Sequence, residues 1–185
     1  MARIAEAEQR QRQREQRRRD EEEYRRREAT RAKMAAEKPR WERIVGNRLV
    51  GVAILGDSLV IDGIRWKVIA ARDLGSVLRS RLVKPQKTPG RFIFVEFEVE
   101  NLRKDPATFF ERDLYDKNGR RYNTISDAMW YFDRNTVFIL ENINPNVPLR
   151  FVQVYEVPKD ASDLFATVSN LRILGRQVGA ISIGF

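Results

Sequence analysis

The first 38 residues contain neither glycine nor proline, and between Ile4 and Met34 their only large apolar side chain is Tyr24. A segment with so little to bury cannot join a hydrophobic core, yet its Arg, Glu, Gln and Ala content favours helix. Glu stands four residues before Arg at Glu6/Arg10, Glu8/Arg12, Glu15/Arg19, Glu21/Arg25, Glu22/Arg26 and Glu23/Arg27, the stabilising order for helical ion pairs. A coiled coil would need apolar a and d positions through several heptads, which this stretch lacks. The expectation is a single charged helix, about 55 Å long at 1.5 Å per residue, forming an arm over residues 1–38.

Its charge is mixed. Through residue 40 there are 14 basic and 9 acidic side chains; the remaining 145 residues carry 21 and 17, within a total of +9 and a pI near 10.2. Such a balance calls for an acidic partner to be considered. Arg17, Arg18, Arg19 and Arg25, Arg26, Arg27 flank Asp20-Glu21-Glu22-Glu23. Arginines of this kind can grip phosphates, but the intervening acids neutralise them along the helix, and a solvated charged face is the favoured reading. Ala29, Ala32, Met34, Ala35 and Ala36 form a weakly apolar patch on which a protein could dock. The six arginines with Ala29, Ala32 and Ala36 are therefore the candidate partner-binding residues of the arm.

The chain has no cysteine and no histidine. That removes disulfides, thiolate nucleophiles, Cys- or His-ligated metals and Ser-His-Asp hydrolysis. Gly56-Asp57-Ser58-Leu59 spells the opening of the GDSL hydrolases, but a serine nucleophile needs a base, so the segment reads as a turn. Glu96, Glu98 and Glu100 share one face of a strand, where carboxylate pairs for glycoside chemistry would sit; the favoured reading pairs them with Arg65 and Lys67 of a neighbouring strand. Asp116-Lys117-Asn118-Gly119 lacks the alternating acids and closing Glu of a calcium loop and reads as a type I′ hairpin. No catalytic residue, cofactor, metal or small-molecule substrate is expected. The opening residues lack the apolar stretch of a signal peptide, and Leu49–Leu55, the longest apolar run, is too short to span a membrane. An intracellular or virion location is the expectation.

Beyond Pro39 the pattern alternates with period two. Strands are expected over 49–55, 58–62, 64–72, 91–100, 109–115, 120–123, 149–157, 164–168, 170–174 and 177–183, with a helical turn over 74–82. In the clearest of them Ile93, Val95, Phe97 and Val99 face one way and Phe92, Phe94, Glu96, Glu98 and Glu100 the other. Ile64, Trp66, Val68 and Ala70 share a face of another. Many short strands with no long helix outside the arm describe an all-β antiparallel sandwich. Its expected limits are 54–185, joined to the arm by a connector over 39–53.

Leu55-Gly-Asp-Ser-Leu-Val-Ile-Asp-Gly63, Trp66-Lys-Val68, Gly90-Arg-Phe-Ile-Phe-Val95 running to Glu100-Asn101-Leu102, Leu114-Tyr-Asp-Lys-Asn-Gly119 with Tyr122, and Tyr155-Glu-Val-Pro158 follow one another in order. In this the chain resembles the DUF4352 family of immunoglobulin-like domains over residues 54–185. The resemblance implies a two-sheet immunoglobulin-like β-sandwich in which Asn101 follows a core strand and the Asp-Asn-Gly segment is a hairpin. It also implies exported or membrane-anchored relatives, often lipoproteins, with no catalytic residues to carry over. The Arg-rich helix stands where that family has a signal, anchor and linker.

Met129-Trp130-Tyr131-Phe132 places four large side chains in a row, and Trp and Tyr anchor protein interfaces. Trp130, Tyr131 and Phe132 are candidate partner-binding residues of the sandwich, although Trp130 and Phe132 are expected to point into its core with Tyr131 at the sheet edge. The function expected is a non-catalytic interaction module, a structural or accessory subunit of a larger protein assembly, tethered by the basic helix. A phage or virus particle would suit such a subunit. The alternative is an RNA- or DNA-binding protein using the Arg-rich helix.

Overall fold

The computed structural model describes residues 2–108, 112–132 and 142–185, with side chains from residue 9 onward. It divides into two units, Met1–Ala36 and Glu37–Phe185. The first unit is helix, the greater part of α1 (Ala2–Val45). Arg18–Glu22 and Arg27–Glu23 pair across one turn at 3.9 Å, and Gln16 donates to Asp20 at 2.8 Å. Such exposed pairs each contribute a few tenths of a kcal/mol.

Helix α1 does not stop at Pro39, where the sequence suggested a break. Proline removes one helical N–H and costs about 3 kcal/mol in a helix interior, so the turns beyond it must be held by something else. Within the second unit Trp41, 3% exposed, stacks on Phe165 with ring centroids 4.4 Å apart and 10° between planes. Arg40 donates to the Lys117 carbonyl at 2.7 Å, and Glu42 accepts from the Leu49 amide at 2.9 Å. The last helical turns are thus part of the sandwich, and residues 39–53 are no connector.

Thirteen strands follow among the described residues: β1 (Leu49–Ile54), β2 (Ser58–Ile61), β3 (Ile64–Asp73), β4 (Val77–Leu78), β5 (Gln86–Lys87), β6 (Arg91–Asn101) and β7 (Ala107–Thr108), then β8 (Leu114–Tyr115), β9 (Arg121–Tyr122), β10 (Asn142–Ile143), β11 (Leu149–Val157), β12 (Leu164–Ser169) and β13 (Val178–Gly184). They make a five-stranded sheet ordered β1-β13-β12-β8-β9 and a four-stranded sheet ordered β11-β6-β3-β2, with β10-β7 and β4-β5 as two-stranded ribbons. Between the sheets lie Ile93, Val95, Phe97 and Val99 of β6, Leu164, Ala166 and Val168 of β12, and Trp66, Phe151 and Tyr155. Trp66 is fully buried, sits edge-on to Phe97 and Phe151, and donates its indole N–H to the Ser169 carbonyl at 2.7 Å. Asn101, also fully buried, ends β6 by donating to the carbonyls of Asp105 and Ile143.

Several expectations need correction. The sandwich is not wholly antiparallel, because β1 pairs with β13 in parallel; the turn at Leu55–Asp57 carries the chain to the other sheet, so β1 has no hairpin partner in its own. Residues 74–82 hold β4 rather than a helical turn, and 170–174 form a loop. A register shift after Val68 puts Ala71 opposite Val95 and Ala70 opposite Glu96, so Ala71 joins the core side. The two-residue type I′ turn is Asp62-Gly63, with φ of 44° and 77° joining β2 to β3. At Asp116–Gly119 only Gly119 has positive φ, giving a type I turn closed by glycine instead. Of the strand expected over 109–115, residues 109–111 lie outside the described residues.

Gly179 shows how closely the sheets approach at one edge: a Cβ there would lie 2.6 Å from Leu59 and 2.8 Å from Ile61. Residues 37–185 are expected to unfold in one cooperative transition without the preceding helix. A fragment beginning at residue 54 lacks Trp41, Leu49 and all of β1 but Ile54 and should be markedly less stable. Trp41→Ala should cost about 3–5 kcal/mol, read by chemical denaturation; an unchanged midpoint would contradict the docking of the helix end.

Candidate functional site

Strand β6 changes character along its outer face, from Phe92 and Phe94 to Glu96, Glu98 and Glu100. The acidic half is balanced by neighbouring strands, since Glu100 pairs with Arg65 and Glu98 with Arg150 at 2.9 Å, while Lys67 lies opposite Glu98. The aromatic half must be shielded from water. A second apolar cluster of Leu78, Phe92, Phe94, Ala128, Val152 and Val154 does this, with Leu74, Ile125, Tyr131 and Phe132 packed against it. The cover is built from the β4–β5 ribbon and a 3-10 turn, Ser126–Trp130.

Specific bonds fix this cover. The Ile125 amide donates to the Val154 carbonyl at 2.9 Å, Ser80 Oγ to the Trp130 carbonyl at 2.6 Å, and the Tyr131 hydroxyl to the Lys84 carbonyl at 3.0 Å. The Thr88 amide donates to the Ser76 carbonyl, and its hydroxyl to Glu156. Phe132 packs on Phe94 with centroids 5.4 Å apart, and the Arg72 guanidinium lies 4.3 Å from the Phe94 ring centre. The ribbon and the 3-10 turn therefore form one platform.

The outward side of this platform is unusual. Leu82 is 74% exposed and Trp130 51%, and Val83 and Met129 are also exposed. Beside them stand Arg79, Arg81, Lys84 and Lys87, none in an ion pair among the described residues, and no acid occurs between Asp73 and Glu96. A basic surface carrying an aromatic and aliphatic side chains suits an acidic partner with apolar anchors.

The candidate residues divide between the two units. Trp130, Tyr131 and Phe132 all belong to the platform, but Trp130 is exposed rather than in the core, because the 3-10 turn points Ala128 inward in its place. Tyr131 and Phe132 are half-buried supports. Arg17, Arg18, Arg19, Arg25 and Arg26 are exposed on α1 and Arg27 is half-buried, while Ala29, Ala32 and Ala36 are exposed and Met34 is buried. Arg79, Arg81, Leu82 and Lys84 are not among the residues that the sequence alone singles out. Their signal was available as a run of cations without acids, although the fold was needed to set it beside Trp130.

Two further polar groups are buried in the sandwich. Asp116 is fully buried: Oδ1 accepts from the Asn118 and Arg120 amides, and Oδ2 from Arg120 Nε at 2.6 Å and the Tyr122 hydroxyl at 2.8 Å. Arg120 also bonds Asp160. Burial pushes this carboxyl up, but those bonds outweigh it and hold it below the usual range. The same burial and the neighbouring carboxylate push the Tyr122 hydroxyl up. With its oxygens occupied, Asp116 closes the β8–β9 hairpin. Arg112, 2% exposed, donates to Ser169 Oγ at 2.7 Å, and its guanidinium lies 5.2 Å from the Trp66 ring centre; burial first, then Arg176, lowers its pKa to about 10. It keeps its charge at neutral pH.

A cleft of about 550 Å³ beside Pro89 and Pro158 has its Thr88, Glu156 and Asp160 groups already engaged. Among the described residues there is no cluster of three His, Cys, Asp or Glu able to hold a metal, and no helix is long and apolar enough to cross a membrane.

The chain belongs to the DUF4352 family, a domain of unknown function whose model matches residues 54–173. It is 25% identical over 114 residues to an uncharacterized Bacillus subtilis protein, YxkC, covering 58% of this chain and 63% of that relative's length. Its fold is similar to the crystal structure of the yjhA protein of Bacillus subtilis, with a TM-score of 0.55 and 14% identity over 70% of this chain and 98% of the other. A conserved hypothetical protein of Bacillus anthracis matches with a TM-score of 0.50 and 20% identity, over 62% and 87% of the two chains.

Because the Asp116 carboxyl is held below its unfolded value, near 3.9 for a free side chain, the stability it confers is complete above that value. That contribution is lost as pH falls through the lower folded value. Asp116→Asn should cost about 1–3 kcal/mol at pH 7, since an amide NH2 cannot accept from both Arg120 and Tyr122. The mutant should also show a shallower fall of melting temperature as pH drops below about 4, the unfolded value. Parallel acid profiles for the two proteins would contradict this.

Proposed function

We propose that the protein is a non-catalytic interaction module, an accessory subunit of a larger protein assembly, which docks an acidic protein partner on the platform of β4, β5 and the 3-10 turn. Helix α1 serves as its tether. The observation that carries this reading is the exposed Trp130 and Leu82 set among four cations that form no ion pair among the described residues, on a surface fastened from below. Preorganisation matters, because a partner then need not bear the cost of ordering the loop. The absence of His and Cys from the chain and the pairing of Glu98 and Glu100 with arginines favour binding over catalysis.

The arm arginines are a weaker basis for function, since their neighbours include nine acids through residue 40. A phosphate-binding arm would show a steep salt dependence.

The test is a partner found by photocrosslinking from position 130 and then measured as a purified pair. Trp130→Ala should weaken the complex tenfold or more, as truncation of an aromatic anchor does at roughly 2 kcal/mol. Arg81→Glu with Lys84→Glu should slow association and flatten its salt dependence. Binding that ignores these changes, but is lost when Arg17–Arg19 and Arg25–Arg27 become alanine, would overturn the proposal in favour of a nucleic-acid arm.

A further inference from the structure

The loop between β12 and β13 carries the two most exposed large apolar side chains of the described residues, Ile173 at 82% and Leu174 at 86%. It is held open by its own frame. Asn170, 1% exposed, accepts from the Arg172 and Gln177 amides and donates to the Gly175 carbonyl. Its backbone amide bonds the Gln177 carbonyl at 3.1 Å. Leu171 is buried in the core in a left-handed conformation, φ 56°, and the exposed Gly175 is left-handed too, at φ 66°. A left-handed leucine is disfavoured, and here its conformation turns the next two aliphatic side chains outward.

Asp62 fastens the same frame, accepting from Arg103 and Arg172 at 3.0 Å each, while Arg103 also donates to the Asn170 carbonyl at 2.9 Å. Residues 164–185 contain Arg172 and Arg176 and no acid. With Arg103 and Lys104 on the adjoining loop, four cations face two acids, Asp62 and Asp105. The loop joins the Asn101 end of β6, about 30 Å from Phe92 at 3.3 Å per residue, so it is separate from the platform.

We infer that this loop is a membrane-contacting tip that seats Ile173 and Leu174 in the interface of an anionic bilayer. Two features select lipid over protein. Aliphatic side chains at a projecting tip need no shape-matched pocket in a fluid apolar phase, whereas protein hot spots favour Trp, Tyr and Arg in pockets. Apolar insertion combined with adjacent arginines supplies the two signals that stable attachment to an anionic surface requires. The inference is independent of the platform's partner.

The chain has no cysteine, so Leu174→Cys gives the full chain a unique attachment point for an environment-sensitive nitrobenzoxadiazole label. A change at so exposed a position leaves the core intact. With vesicles of phosphatidylcholine and phosphatidylglycerol, emission from position 174 should shift to the blue, brighten, and be quenched by spin labels on the acyl chains. A label at Ser58→Cys, on the turn at the other end of β2, should stay water-like. Vesicles of phosphatidylcholine alone should give little response. Adding Ile173→Asp should weaken the titration about tenfold or more, as loss of one buried aliphatic side chain does. Vesicle binding without an emission change at 174, as attachment through the basic helix would give, overturns the inference. So does a blue shift that grows with protein concentration in the absence of lipid, which would mark the tip as a contact between copies of the chain.

Discussion

Each sheet of this sandwich carries aromatic side chains on the face turned away from the core, and the rest of the structure follows from the need to cover them. Strand β12 is buried on both faces: Leu164, Ala166 and Val168 point inward, while Phe165 points outward beneath Trp41. Strand β6 sets Phe92 and Phe94 outward beneath the β4–β5 ribbon and the 3-10 turn. Burying a phenylalanine is worth roughly 1.5–3 kcal/mol, enough to offset much of the cost of a proline inside α1 or of ordering a long loop.

These covers determine what the molecule presents to others. The cover over Phe94 turns a basic and apolar surface outward, with Trp130 and Leu82 held in place by Ser80 and Tyr131. At the other end of β6, Asp62, Arg103 and Asn170 tie three loops together and leave Ile173 and Leu174 in water. Hydrogen bonds within the chain hold both surfaces, as a preorganised docking surface requires.

The alternation of Ile93, Val95, Phe97 and Val99 made the central strand legible from the sequence, and the period-two runs around Trp66 and Phe151 gave most of its neighbours. Local pattern failed where tertiary contact decided. Pro39 reads as a helix end until Trp41 is seen on Phe165. Asn118-Gly119 reads as a type I′ turn, but the buried Asp116 carboxylate draws in the Asn118 and Arg120 amides and selects another geometry. Trp130 reads as core because aromatic residues usually are; only the small Ala128 beside it shows which side of the turn faces inward. The segment at Ile173 reads as a strand, since its apolar residues resemble one and nothing local announces a left-handed Leu171. Of the candidate site, Trp130–Phe132 was legible, whereas the cations of residues 79–87 needed the fold to bring them alongside.

The central claim is that the aromatic outer face of β6 holds the platform of β4, β5 and the 3-10 turn in a fixed shape. Amide hydrogen exchange of the full chain, compared with Phe94→Ala, tests it most directly. In the native protein the amides of Thr88, Ile125 and Tyr131 should be protected well beyond unstructured rates. In Phe94→Ala that protection should fall while β6, β11 and β12 stay protected. Unstructured exchange across 79–88 and 125–131 in the native chain, or protection unchanged by loss of the Phe94 ring, would contradict the account.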